Sequence, residues 1–264
     1  MGQRLVRAKA RIKQSGIPFA IPERADLPDR LDAVLQAVYA AYSRDWAEAG
    51  EGSAGRLSEE AIWLGQVMAE LIPDEPEVKG LLALMLFLDA RRSARSAPDG
   101  SYVPLDDQDT ALWNLSQIRQ AEALMKDANR MEGSGRFQIE AAIQSAHVAR
   151  RLLGLDNWSD IVALYDVLFA LAPTPVVALN RLVARARIYG AKEVLDEIQK
   201  IGADPRLVDY QPYWAARGTL LAEAGRNLEA REALTAALGL ATDEAARDFL
   251  QRRIARLPGT PERT

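Results

Sequence analysis

The side chains able to do chemistry are few, and their scarcity narrows the reading at once. No cysteine occurs, which removes thiolate nucleophiles, disulfides and Cys-based zinc or iron–sulfur sites. His147 is the single histidine, so a His-rich metal site is excluded and a Ser-His-Asp triad would have to use that one imidazole. It shares a helical face with Ile139 and Ile143, which makes packing its expected role and general-base chemistry the minor alternative. Asp106, Asp107 and Asp109 offer oxygen donors for Mg²⁺, yet the central Gly and closing Glu of a calcium loop do not follow, and a solvated helix cap is expected. Gly133-Ser134-Gly135 lacks both the third glycine of a dinucleotide loop and the Gly-Lys-Ser/Thr ending of a P-loop. Of the five tryptophans, Trp158 and Trp214 fall at turn and packing positions; Trp46, Trp63 and Trp113 are surface candidates that are expected in the core.

Charge adds one anomaly. Across 264 residues, 33 basic side chains oppose 37 acidic ones, for a net charge of −4. Yet Arg4, Arg7, Lys9, Arg11 and Lys13 form a cationic run without an acid. Such a run is either a solvated helix or a phosphate-contacting element, since Lys and Arg supply most non-specific affinity for nucleic acid. It lacks the apolar centre of a signal peptide, and the apolar run Leu81 to Leu88 is far short of the roughly 20 residues that cross a bilayer. A cytoplasmic protein with no membrane partner and no cofactor is expected.

The elements that would position these residues are helical. Leu31, Val34, Leu35, Val38, Tyr39 and Tyr42 follow a helical stripe, and Ser58-Glu59-Glu60 reads as a helix start ahead of Leu64, Val67, Met68, Leu71 and Ile72. Asp74-Glu75-Pro76-Glu77 opens a helix from Val78 to Ala94 whose centre is apolar all round and expected to be buried. A loop from Ser96 to Asp109 follows, and then a helix through Leu112, Leu115, Ile118, Ala121 and Met125. Strand signals are confined to Tyr102-Val103-Pro104-Leu105.

From residue 137 onward a repeat of about 34 residues can be laid over the chain. In the clearest copy Trp214, Gly218, Leu221, Gly225, Ala230, Leu234 and Ala237 match tetratricopeptide spacing, where small residues let paired helices approach. Weaker copies run through Leu179, Leu182, Ala186 and Gly190, and through Ile161, Tyr165 and Leu168. The expected class is all-α, a helical bundle leading into an α-solenoid of helix pairs. Its parts would be a basic segment (1–14), a linker (15–27), a helical subdomain (28–136), three repeats with a capping helix (137–257) and a tail (258–264).

The segment from Gln3 to Ile12, with Gly16-Ile17-Pro18-Phe19, resembles the end of the region 4 recognition helix and following linker of extracytoplasmic-function (ECF) RNA polymerase sigma factors that carry a long helical C-terminal extension. Glu60-Ala61-Ile62-Trp63-Leu64-Gly65, Ile72 to Val78, Gly80 to Leu86, Asp89-Ala90-Arg91-Arg92, Asp107-Gln108-Asp109 with Trp113, and Pro173 to Val177 resemble that extension. Tyr42-Ser43-Arg44-Asp45-Trp46 departs from the family, which tends to have an aromatic followed by Asn-Glu-Gly there. The resemblance implies a truncated form of a parent that directs transcription initiation, lacking region 2 and most of region 4. It further implies that Arg4, Arg7 and Lys9 touch promoter phosphates in the parent, that RNA polymerase core and promoter DNA are partners through it, and that no residue is catalytic.

A non-enzymatic regulatory extension is therefore expected, binding its own sigma regions 2 and 4 or a regulatory peptide on a concave surface. Arg91, Arg92, Asp107, Gln108 and Asp109 are the candidate interaction surface, with a structural ion-pair network as the alternative. Two other classes stay open: a free-standing repeat adaptor unrelated to transcription, and a metal-dependent enzyme with its site in the Ser96–Asp109 loop.

Overall fold

The computed structural model describes residues 27–47, 56–131 and 133–258. Over these the chain is all-α, with twelve α-helices and no strand. The segment around Tyr102 forms only an isolated bridge to Ser96, closed by Ala97 N–H to Ser101 O at 2.9 Å and Val103 N–H to Arg95 O at 2.8 Å. The basic segment 1–14, including Arg4, Arg7 and Lys9, lies outside the described residues, as do Trp46's side chain, the linker up to residue 26 and the tail from 259. No described helix is long and apolar enough to cross a membrane.

The chain divides into two compact units, residues 1–37 and 38–264. Of the first, the opening of helix α1 (Leu27–Ala47) is described, with Leu35 buried and Val34 exposed. The second unit starts within the same helix and contains everything else.

Its centre is α3 (Pro76–Asp89), where Val78 and every residue from Gly80 to Phe87 are buried, as an all-round apolar helix requires. Glu75 caps it, accepting from Glu77 N–H, and Pro76 occupies the first turn, where its missing N–H costs nothing. The helix ends at Asp89, short of the expected Ala94: Ala90 and Arg91 turn the chain into a 3₁₀ segment at Arg92–Ala94, and Arg92 Nε donates back to Asp89 Oδ1 at 2.8 Å.

Around α3 lie α2 (Arg56–Leu71), α4 (Leu115–Ala128) and α5 (Arg136–Leu153). Two expectations for α2 are corrected here. Ser58 is not its cap, because the helix already runs from Arg56; the hydroxyl is buried and accepts from Arg92 at 2.7 Å. Its buried face is the small stripe Ser58, Ala61, Gly65, which leaves Trp63 59% and Leu71 74% exposed, so Trp63 is not a core residue. Close approach explains the choice, since a Cβ on Gly65 would sit 2.9 Å from the Met85 Cε. Packing of α3 on α5 crosses the border expected at residues 136 and 137.

Beyond α5 successive helices stack pairwise: α5 on α6 (Trp158–Leu171), α6 on α7 (Pro175–Tyr189), α7 on α8 (Leu195–Ile201) and α10 (Gln211–Glu223), with the single turn α9 (Pro205–Val208) between the last two. Then α10 packs on α11 (Asn227–Leu240) and α11 on α12 (Glu244–Ala255). Gly225, at φ 80°, makes the reversal between α10 and α11 in a conformation that disfavours side chains. Gly218 then lets Leu234 seat directly on the backbone: an added Cβ would meet Leu234 Cγ at 2.7 Å.

Candidate functional site

Of the candidate residues singled out by sequence, Arg91 and Gln108 are buried, Arg92 is half-buried, and Asp107 and Asp109 are exposed. Arg91 is 6% exposed; its guanidinium donates to Gln144 Oε1 at 2.7 Å on α5 and lies over the buried Trp113 ring, 5.9 Å from its centroid. Burial, and then Arg95 nearby, lower its pKa to about 10. Arg92 ties α2 to the end of α3 through Ser58 and Asp89, and Asp89 in turn accepts from Gln117 of α4 at 2.8 Å. Gln108 is 4% exposed, bonding through Nε2 to Val103 O and through its own carbonyl to Arg151 at 2.8 Å. Arg91 is thus held inside the protein by Gln144, and Gln108 by its Nε2 and its carbonyl, while Gln108 Oε1 is buried without a partner among the described residues. Trp113, the other surface candidate here, is 4% exposed.

Asp109 behaves as the expected cap, accepting from Ala111 N–H at 2.9 Å. Asp106 faces a different way from its neighbours: it pairs with Arg150 of α5 and, at 3.6 Å, with Arg187 of α7. Those two arginines lie over the Trp158 ring at 4.6 and 5.9 Å, and Arg187 reaches Glu223 of α10 at 3.8 Å. Tyr102, earlier in the same loop, meets Phe249 of α12 edge to face at 5.5 Å. The loop 96–109 consequently lies across the helix stack, fastened to α5, α7 and α12. Each of these contacts joins residues tens of positions apart, so no local pattern in the sequence marks them.

His147 sits beneath this strap. Its ring meets Trp158 edge to face at 5.7 Å, and its buried Nδ1 has no partner among the described residues. Burial first, then the Arg150 and Arg91 charges, push its pKa down to about 4, against a smaller opposing pull from Asp106. The imidazole is neutral at pH 7, a packed ring as the helical face predicted.

Glu77 is a residue the sequence hid. Its carboxylate accepts from Phe137 and Gln138 N–H, both at 2.9 Å, capping α5 from 60 residues away. Gly135, in the loop without a phosphate-binding pattern, has no side chain because a Cβ there would fall onto that carboxylate. Burial raises the Glu77 pKa in spite of the two donors. A cavity of about 540 Å³ lies near this junction, with Leu84, Ile143 and Leu168 as apolar wall and Tyr39, Glu140 and Tyr165 as polar edge. Burial, then the Glu140 charge, push both phenols up to about 12.

Residues 30–129 match a family described as a family of unknown function (DUF6596), a stretch that covers α2, α3, the loop and α4. An uncharacterized protein of Rhizobium meliloti is 37% identical over 263 residues, which is 99% of this chain and 62% of that protein. The chain therefore spans under two thirds of that relative's length. No solved structure matches.

Proposed function

We propose that the chain is a non-catalytic interaction module, the regulatory helical extension of an ECF-type sigma factor. The observation that carries this reading is the strap. Within it Gln108 is buried and bonded to Arg151, whereas Asp106 is held by ion pairs partly open to solvent, which contribute little net stability and which a partner's carboxylates can take over at small cost. Helix pairs related to tetratricopeptide repeats supply a preordered surface beneath it, so a partner segment has little to order on binding. The sigma assignment rests on the resemblance along the chain, and the greater length of the Rhizobium relative is in keeping with it.

In this reading Asp106 marks the exchangeable point, and Arg150 and Arg187 receive the incoming acidic segment. RNA polymerase core and promoter DNA are then contacted by the parent's own sigma regions, in the cytoplasm. The test is retention of purified core polymerase, and separately of the parent's region 2 and region 4 fragments, on the immobilised chain. Retention of either sigma fragment, strengthened by Asp106→Asn and abolished by Arg150→Glu with Arg187→Glu, supports the proposal. Failure of all three candidates to bind refutes the sigma reading and favours a free-standing adaptor.

A further inference from the structure

The last helix carries an unusual concentration of charge. Arg252, Arg253 and Arg256 of α12 and its C-cap line a cleft of about 540 Å³ whose other wall is the loop, through Tyr102, Pro104 and Asp107. Three guanidinium groups therefore share the cleft lining with one carboxylate, Asp107, while Asp99 and Glu223 act on Arg252 and Arg253 from outside that lining. None of the three is ion-paired with a described carboxylate, whereas Arg150, Arg181, Arg185 and Arg226 all are. Arg252 and Arg256 are one helical turn apart and so project together. Arg253 lies half-buried over the Phe249 ring, 5.9 Å from its centroid, and burial holds its pKa below the usual value against the nearby Glu223 and Asp107.

Arg252 and Arg256 are exposed at the mouth of the cleft and Arg253 is half-buried in its wall, so three like charges repel one another there until an anion joins them. The guanidinium fork matches the oxygens of phosphate and carboxylate in pairs. Beside it, Tyr102 is 37% exposed and braced edge-on at 85° by Phe249, which offers a ring face next to the charge.

We propose that this cleft binds a small organic anion with clustered oxyanions, its charged end held by Arg252, Arg253 and Arg256 and its body against Tyr102 and Phe249. Bound there, the ligand bridges the loop to α12 and reinforces the strap, which makes it an effector of whatever the strap covers. This goes beyond the interaction reading and stands without it.

Isothermal titration of the full chain at low salt with pyrophosphate, ATP and citrate tests it. Saturable binding of one equivalent of at least one of them, with Kd below about 1 mM, is expected. Arg252→Glu with Arg256→Glu should weaken it at least tenfold, while Arg130→Glu, in the exposed turn after α4, leaves it unchanged; the melting curve of each variant reports that it folds. Pyrophosphate and ATP binding without citrate assigns a phosphate ligand, citrate binding a polycarboxylate, and tighter ATP than pyrophosphate places a ring on Tyr102. Absence of saturable binding by all three, or equal losses in the cleft and Arg130 variants, overturns the proposal.

Discussion

The bundle around α3 and the stack from α10 to α12 are held by different means. In the bundle, distant residues pin one helix to another: Glu77 caps α5, Arg91 reaches Gln144, and Arg92 joins Ser58 to Asp89. In the stack, side chains of small volume meet large ones within one hairpin, and the well-aligned ion pairs are local, as between Arg226 and Glu229 three residues apart. A bundle built on long-range pins loses many contacts when one helix shifts. A stack of near neighbours loses only those beside the change, which is the energetic character of repeat proteins.

The largest effect expected is at Phe87, fully buried on α3. Phe87→Ala should cost about 4 kcal/mol, the transfer term plus an unfilled cavity, read as a shift in the urea midpoint. Phe249→Ala, at the half-buried end of the stack, should cost less than half of that; equal losses would erase the distinction between the regions.

His147, on α5 where bundle and stack meet, gives a pH-dependent probe. Its folded pKa of about 4 lies below the ordinary 6.5, so between those values the unfolded chain holds the proton and the native one does not. Stability is therefore complete above pH 6.5 and falls as pH drops towards 4, by up to about 3 kcal/mol at 1.36 kcal/mol per unit. The groups setting this are Arg150 and Arg91, which repel the imidazolium, and Asp106, which attracts it. Denaturant midpoints from pH 7 to 4 should fall less steeply in His147→Gln than in the natural sequence. Parallel curves would show that the ring titrates freely.

A paired substitution compares the two modes of close approach. An alanine Cβ at Gly80 would meet the backbone of Gln138, 2.6 Å from its nitrogen, whereas at Gly218 the nearest atoms belong to the Leu234 side chain. Backbone cannot yield without moving a helix; a leucine can rotate. Gly80→Ala should cost about 3 kcal/mol and Gly218→Ala about 1, each net of the gain in helix propensity. Thermal melts of the two variants decide it, and a larger loss at Gly218 would reverse the reading of which region is the rigid one.

The same contrast governs how far sequence reading reached. Helical class, the buried centre of α3, the turn at Gly225 and the seating of Gly218 were legible because each depends on residues within a few turns of one another. Periodicity failed on α2, where the conspicuous Leu64 and Leu71 face outward and the small Ser58, Ala61 and Gly65 face in, since the helix is drawn close enough to bury backbone rather than side chains. For Arg91 and Gln108 it left surface and structural roles both open, because a polar residue looks like surface until its partners, Gln144 and Arg151, are known. The capping role of Asp109 is legible in the acidic loop, but its route across the stack depends on contacts to Arg150, Arg187 and Phe249 that no local pattern encodes.

The smallest stability effect should accompany the most informative change. Asp106→Asn removes the charge that fastens the loop to α5 and α7, yet these pairs are partly solvated and worth under about 1 kcal/mol together, so the melting temperature should scarcely move. Local opening is another matter, because segment release draws on the free energy of the strap alone and not of the whole fold. Amide exchange in residues 96–109 should accelerate severalfold while that of α3 is unchanged, and Trp158, stacked beneath Arg150 and Arg187, should report the release as altered fluorescence. If α3 accelerated equally, the loop would be an inseparable part of the bundle, and its displacement by a partner would cost the fold itself.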